Sequence, residues 1–321
     1  MPELEAGAAY TIVDLAKETL NKQTIEIAEI LVEKTPVART AMVVEANSLN
    51  SHVYDTRATE PSGTMTAFNQ GIPYEATQVD QDEESLAMCE SLAAIDIRIL
   101  RRSPNPYKTR ANRERAFIAG LGKTFENYFF YGNLATEPKG INGLAVRYDS
   151  ASDDQVIDEG GSGSDCSSLF LVEWGEDTAY LIYPTGSPSI GIRAESLGRH
   201  LISDGQATPQ VFPAMVSHFI WEAGLVIVDP DAVQRIASIE TSGTANIFDY
   251  KNMITAINKL PGRGRPVAYA PRSIITQMDI DIASKTNIYL TIDVAYGKKT
   301  VHFREVPVFR ADEISETEDA L

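Results

Sequence analysis

Hydrophobic and polar positions change their spacing several times along the chain, and each spacing predicts an element. Over residues 10–34, Ile12, Leu15, Leu20, Ile27, Ile30 and Leu31 fall on one narrow stripe. This predicts a helix that Pro36 stops, and its isolation marks it as an arm packed against something else, such as a neighbouring chain. Residues 92–100, LAAIDIRIL, alternate from Ala94 onward and predict a strand. Next, Asn105 suits an N-cap, Pro106 the first helical position and Gly132 the C-terminal cap. Between them Ile118, Leu121, Phe125, Tyr128 and Phe129 recur at steps of three and four. A helix over 106–131 would run ~39 Å and form a structural spine. Beyond it SLFLVEW, TAYLIYP, FIWEAGLVIVD, RIASIE and TVHFREVPVFR predict strands, and residues 249–260 and 272–279 predict helices. The mixed order, without a repeat of fixed period, gives the fold class α+β.

Two stretches are too polar to build a core. In residues 51–83, HVYDTRA and YEATQVD alternate like strands around Pro61, Gly63, Gly71 and Pro73. A weakly apolar hairpin is marginal alone, which leaves a mobile surface loop or an extended hairpin ordered by lying across another subunit. Residues 149–168, DSASDDQVIDEGGSGSDCSS, read as a loop or linker and the best boundary in the chain.

The 321 residues carry a formal charge of −17 and are 43% hydrophobic. Length suggests about two domains. The acidic balance disfavours nonspecific nucleic-acid binding, because the phosphate contribution is repulsive. Two cysteines are too few for a disulfide framework and fit a reducing compartment. No apolar run is long enough to cross a membrane, and MPELEAGAAY lacks a secretory apolar core.

Candidate chemistry is sparse. Gly120-Leu121-Gly122-Lys123-Thr124 resembles the end of a phosphate-binding loop, but Phe117 stands where that loop needs its first glycine. The run also lies inside a helical pattern, so two small residues admitting a close neighbour is the better reading. His52, His200, His218 and His302 have no metal-ligand spacing. Cys89 and Cys166 stand apart from other cysteines and histidines, and no nucleophile elbow is present. No cofactor is implied. Arg98, Arg101, Arg102, Lys108, Arg110, Arg113 and Arg115 make a basic patch at the start of the long helix. It would meet polyanions or, preferably, acidic surfaces of neighbouring copies. Arg263 and Arg265 in LPGRGRP read as exposed loop residues.

Several segments in order carry a family resemblance. They include Pro61-Ser62-Gly63-Thr64, Ala67-Phe68-Asn69-Gln70-Gly71-Ile72-Pro73, the spine end Phe129-Phe130-Tyr131-Gly132-Asn133 and Lys139-Gly140-Ile141-Asn142-Gly143-Leu144. Leu171-Val172-Glu173-Trp174-Gly175, Ile182-Tyr183-Pro184-Thr185-Gly186, Gly224 to Pro230, Arg235 to Ile239, Tyr269 to Arg272 and Phe303 to Arg310 extend it. Together they resemble tailed-phage major capsid proteins of the Hong Kong 97-type fold, in the short-tailed-phage branch. The family pattern has glycine where this chain has Glu305.

The resemblance implies an N-terminal arm (1–50), an extended hairpin loop (51–84) and a peripheral domain with the spine helix (85–165), with 300–321 a candidate to return to it. A mainly axial domain (166–299) completes the chain. It further implies hexamers and pentamers of an icosahedral head, enclosing double-stranded DNA without binding it specifically. A portal protein, a cement or decoration protein, virion localisation and assembly in the host cytoplasm belong to the same expectation, with no membrane partner. Phe68, Asn69, Gly71 and Pro73, with Arg57, Arg101 and Arg102, are the candidate inter-subunit contacts; Gly71 would supply backbone freedom and Pro73 direction. Some relatives crosslink a lysine to an asparagine, but the loop from His52 to Asp82 holds no lysine. The rival readings are an encapsulin-type nanocompartment shell, a soluble enzyme using Cys166 or a carboxylate pair, and a binding module whose hairpin grips a partner.

Overall fold

The computed structural model describes residues 12, 27–31, 35–57, 62–75, 79–187, 191–206, 210–284, 290–295 and 298–321. Among the described residues, helices α1 (Pro36–Thr40), α2 (Ile97–Arg102), α3 (Pro106–Tyr131), α4 (Leu144–Arg147), α5 (Tyr250–Lys259) and α6 (Arg272–Ser284) are set among fourteen strands. These are β1 (Val43–Glu45), β2 (Ser51–Arg57), β3 (Val79–Ser85), β4 (Ala87–Asp96), β5 (Val156–Asp158), β6 (Cys166–Trp174) and β7 (Ala179–Tyr183), followed by β8 (Ile192–Ser203) and β9 (Val211–Ile227). Then come β10 (Val233–Glu240), β11 (Arg265–Ala270), β12 (Leu290–Ala295), β13 (Lys298–Phe303) and β14 (Val306–Arg310).

Strand β6 is buried along its whole length, and its side chains alternate between two apolar layers. Leu169 and Leu171 enter a layer with Met253 and Ala256 of α5, Ile274 and Met278 of α6, and Val301 to Val308. Phe170, Val172 and Trp174 enter the opposite layer with Leu121, Phe125, Phe129 and Phe130 of α3. The apolar run Leu169 to Val172 is thus part of a strand covered on both faces. The sheet order is β12-β13-β14-β11-β6-β7-β9-β4, with β1 on β7, β5 and β6 on β10, and β8 on β9. The tail's strands lie beside β11, while residues 311–318 return to α3 through Lys123–Glu313 at 3.1 Å and Ser315 N–H donating to Tyr131 Oη at 2.8 Å.

The spine helix spans 106–131, as its caps predict. Asn105 accepts from Lys108 N–H at 3.1 Å. Gly132 ends the helix at φ −54°, outside the left-handed region. Glycine is required there for another reason: a Cβ would sit 2.3 Å from the Ile141 carbonyl oxygen. Gly143 closes the same clasp, donating to the Gly132 carbonyl at 2.8 Å.

Several expectations shift. Much of the N-terminal helix lies outside the described residues. Its described part packs inward: Ile27, Ala28, Ile30 and Leu31 are buried in the chain's own core. Leu31 and Thr35 press on Gly122, where a Cβ would meet them at 2.9 and 3.0 Å; Gly120 has open space. Pro36 opens α1 as well as ending the earlier pattern, because its missing N–H is no loss at a first helical position. The strand expected over 92–100 stops at Asp96, whose carboxylate caps α2 by accepting from Arg98 N–H at 2.7 Å. Ile97 and Leu100, three apart, then bury one face of that helix.

The hairpin's second strand is Val79–Ser85 rather than YEATQVD. It runs almost directly into β4 and is held by pairing with β2, from Ser51↔Ser85 to Arg57↔Val79. The acidic stretch 149–168 is tied to the sheet: β5 runs parallel to β10, and Gly161 N–H donates to the Ser238 carbonyl at 3.0 Å. Arg265 lies in β11 and donates to the Thr40 carbonyl, so it is not a loop residue. The closing turn, lacking the family glycine, joins Phe303↔Val306 with Arg304 at φ 55°.

Candidate functional site

The hairpin is rigid at its root and open at its tip. At the root, the Asn47 amide brackets Val53, donating to its carbonyl at 2.6 Å and accepting its N–H at 2.9 Å. His52 is buried, with Nδ1 receiving Asn47 N–H at 3.2 Å and Nε2 3.0 Å from Tyr180 Oη. Burial holds its pKa below the usual imidazole value. Beside it Tyr54 is pushed up to about 12, first by burial and then by Glu84 and Asp82. Glu84 pairs with Arg147 of α4 at 2.7 Å.

Residues 62–75 form no helix or strand. Phe68 is 101% exposed, Tyr74 105% and Met65 98%, as open as in an extended peptide. Their one turn runs through Phe68-Asn69, with Gln70 N–H donating to the Ala67 carbonyl at 3.2 Å. The left-handed position is Asn69 at φ 64°. Gly71 has its φ outside the left-handed range and nothing within 4 Å. Asparagine tolerates this conformation because its short side chain bonds locally. Pro73 is exposed. Arg57 ends β2 opposite Val79.

Arg101 and Arg102 close α2 at the far end of β4, both exposed. Arg98 pairs with Asp96 at 2.7 Å and Arg110 with Glu114 at 2.7 Å. The loop tip and the arginines therefore occupy separate regions. Sequence reading missed the acidic face of β3 and the Asn47–His52–Tyr180 root; the run VDQDEES was the available sign of the former.

Sites for chemistry fare differently. Gly120 to Thr124 lie within α3, where helical hydrogen bonds occupy the amides that a phosphate would need. Cys166 is buried, and burial followed by Asp165, Glu240, Glu318 and Asp158 pushes its thiol up, the reverse of nucleophile activation. Among the described residues no group of three metal-ligating side chains comes together, and no helix is long and apolar enough to cross a membrane.

A family model described as major capsid protein GP7 matches residues 19–321. The chain belongs to the GP7 family of major capsid proteins. As a GP7-family protein it is a shell subunit of a phage head, with the Hong Kong 97-like fold, and its place is the virion. A chain in the structure of bacteriophage Epsilon15 is 25% identical, with 88% of each chain covered and a TM-score of 0.62. A bacteriophage JBD30 capsid chain is 10% identical over 87% of this chain and 91% of that one, at a TM-score of 0.47. The holo-encapsulin complex of Synechococcus elongatus gives 10% identity over 67% of this chain and 89% of that one, at 0.45. Neither of the last two scores supports a choice between a phage head and a nanocompartment; the family does. No curated protein matches the chain. Membership of the capsid family implies a structural role.

Proposed function

We propose that this chain assembles head-to-tail into hexamers and pentamers of an icosahedral head around double-stranded DNA. The hairpin loop (51–84) of each copy lies across a neighbour, beside a peripheral domain (85–165) and a mainly axial domain (166–299). The observation that carries this reading is the loop tip. Met65, Phe68, Ile72 and Tyr74 are exposed on a segment, 62–75, whose one charged residue is Glu75. Monomers seldom leave such apolar groups uncovered together, and a nearly neutral tip approaches a strongly acidic copy without repulsion. Phe68, Asn69, Gly71 and Pro73 are its contacts. Closed rings of identical copies fit a surface that differs from the one it meets. The net charge of −17 suits an inner wall to which DNA does not adhere. A portal protein and a cement or decoration protein complete the head, and assembly takes place in the host cytoplasm.

Deleting residues 56–78 tests this. The variant is expected to remain soluble and folded by circular dichroism while forming no shells by electron microscopy. Shells formed at the wild-type yield, or global unfolding of the variant, would contradict an inter-subunit role for the loop.

A further inference from the structure

One imidazole joins the hairpin stem to the body of the protein. Among the described residues β2 and β3 form a two-stranded sheet of their own and pair with no other strand. The chain leaves the large sheet through residues 46–50 and returns through Leu86, whose N–H donates to the Asn50 carbonyl at 3.0 Å. Ala46 still belongs to the large sheet, donating to the Tyr183 carbonyl at 2.8 Å. Asn47 comes next, and its backbone N–H donates to His52 Nδ1 at 3.2 Å. The ring thus takes the place of a backbone carbonyl in closing the bend that starts the stem. Its Nε2 lies 3.0 Å from Tyr180 Oη of β7, which ties the same ring to the large sheet.

These contacts fix the protonation state of the ring. A donor at Nδ1 requires a lone pair there, so the ring is neutral and its proton sits on Nε2, donated to Tyr180 Oη. A second proton would occupy Nδ1 and set one N–H against another, so the charged ring loses Asn47. Asn47 is exposed, and its freed N–H passes to water while the stem loses the bond at its bend. The charges around the ring do not offset this. Glu84 stands directly across from His52 on β3, but Arg147 of α4 engages its carboxylate at 2.7 Å. Asp82, also on β3, accepts from Thr56 at 3.0 Å. Tyr54 of β2 and Tyr180 of β7 are both pushed up to about 12, first by burial, and stay neutral at physiological pH. Glu176 and Asp177, in the turn before β7, add to the rise at Tyr180.

We propose that His52 is a proton-operated latch: neutral, it holds the hairpin stem to the large sheet, and protonated at Nδ1 it lets the stem swing from its root. Histidine suits this task because its charge changes close to neutral pH. In the latched state burial holds the ring below the ordinary value of 6.5, and in the released state the ring reaches water and regains that value. The latch is therefore complete above 6.5 and weakens as pH falls, by close to tenfold per pH unit. Once the latched ring is itself protonated, both states carry the proton and the ratio levels off. The Glu84–Arg147 pair remains as a second tie, so release loosens the stem without detaching β3. The latch is a property of a single copy and holds whatever surface the hairpin meets, so it goes beyond the shell reading and does not depend on it.

Amide hydrogen exchange of the unassembled full chain from about pH 8 to about pH 5 tests this, with exchange times scaled for the intrinsic effect of pH. Protection of Asn47, Val53 and the β2–β3 ladder is expected to fall by close to tenfold per pH unit below 6.5, while amides of the buried strand β6 keep theirs. His52→Asn offers an acceptor oxygen near the Nδ1 position and does not titrate, so its protection should stay flat. Glu84→Gln keeps the ring and should retain the fall. Constant protection in the wild type, an equal fall in His52→Asn, or a fall that Glu84→Gln abolishes overturns the latch. So does a matching fall in β6, which is global unfolding. If His52→Asn does not fold, nuclear magnetic resonance of the wild-type ring decides. The loss of protection should level off as the ring completes its titration, and a loss that continues beyond it overturns the latch. No arm of this test reads particle formation, so its failure leaves the shell reading untouched.

Discussion

Glu126→Gln isolates a single buried proton. Glu126 is 2% exposed, on the face of the spine helix that α1 covers. Val37 N–H donates to the carboxyl, while Oε1 has no hydrogen-bond partner among the described residues. Burial is the main cause that lifts its pKa from 4.5 to about 8; Glu313 and Asp312 push the same way, and Lys123 and the Val37 bond pull back. The folded protein therefore holds a proton at neutral pH that the unfolded chain releases. Its stabilising contribution is complete below pH 4.5 and is lost as pH rises towards about 8, after which both states are ionised. Between pH 5 and 8 the loss integrates to about 3 to 4 kcal/mol, at 1.36 kcal/mol per pKa unit. Glutamine matches the shape of the neutral acid, can accept from Val37 and does not titrate. Urea unfolding of the unassembled chain across that range should show the variant gaining on wild type by about 3 to 4 kcal/mol as pH rises. Parallel stability curves for the two proteins would refute the reasoning.

Other perturbations follow from the same packing. Glu318 accepts from Arg235 at 3.0 Å, from Ser168 at 2.5 Å and from Tyr131, with Arg235 and Glu318 side chains 5% and 9% exposed. Glu318→Ala strands a buried guanidinium and should cost about 3 to 5 kcal/mol in urea unfolding. A Cβ at Gly143 would lie 2.7 Å from backbone atoms of Gly132, Phe130 and Tyr128, none of which can swing away. Gly143→Ala should lower stability by about 1 to 3 kcal/mol or more. Gly120→Ala, with nothing within 4 Å in an exposed helical position, should instead raise it by about 0.5 to 1 kcal/mol. Thermal melts of the two glycine variants should move in opposite directions.

What the sequence made legible follows from where the physics is local. Asn105, Pro106 and Gly132 bounded the spine helix because caps act within a turn of the chain. β6 could be found from its apolar run Leu169 to Val172, and the helix expected over 249–260 is α5, which Asp249 caps by accepting from Lys251 N–H at 2.9 Å. β8 was missed because most of its residues are exposed and it is held by pairing with β9. Partner pairing also places the acidic Val79–Ser85 in a strand against its weak propensity. The break at Asp96 was hidden by a capping residue inside an alternating run. At the candidate site, residue identity pointed to Phe68, Asn69, Gly71 and Pro73, but only backbone geometry shows that the left-handed residue is Asn69.

The central claim is that this chain builds closed shells from copies of itself. Size-exclusion chromatography of the purified full chain, with electron microscopy of the void fraction, tests it most directly. The account predicts closed icosahedral particles assembled from hexamers and pentamers. A chain that stays monomeric through varied salt and crowding would contradict it.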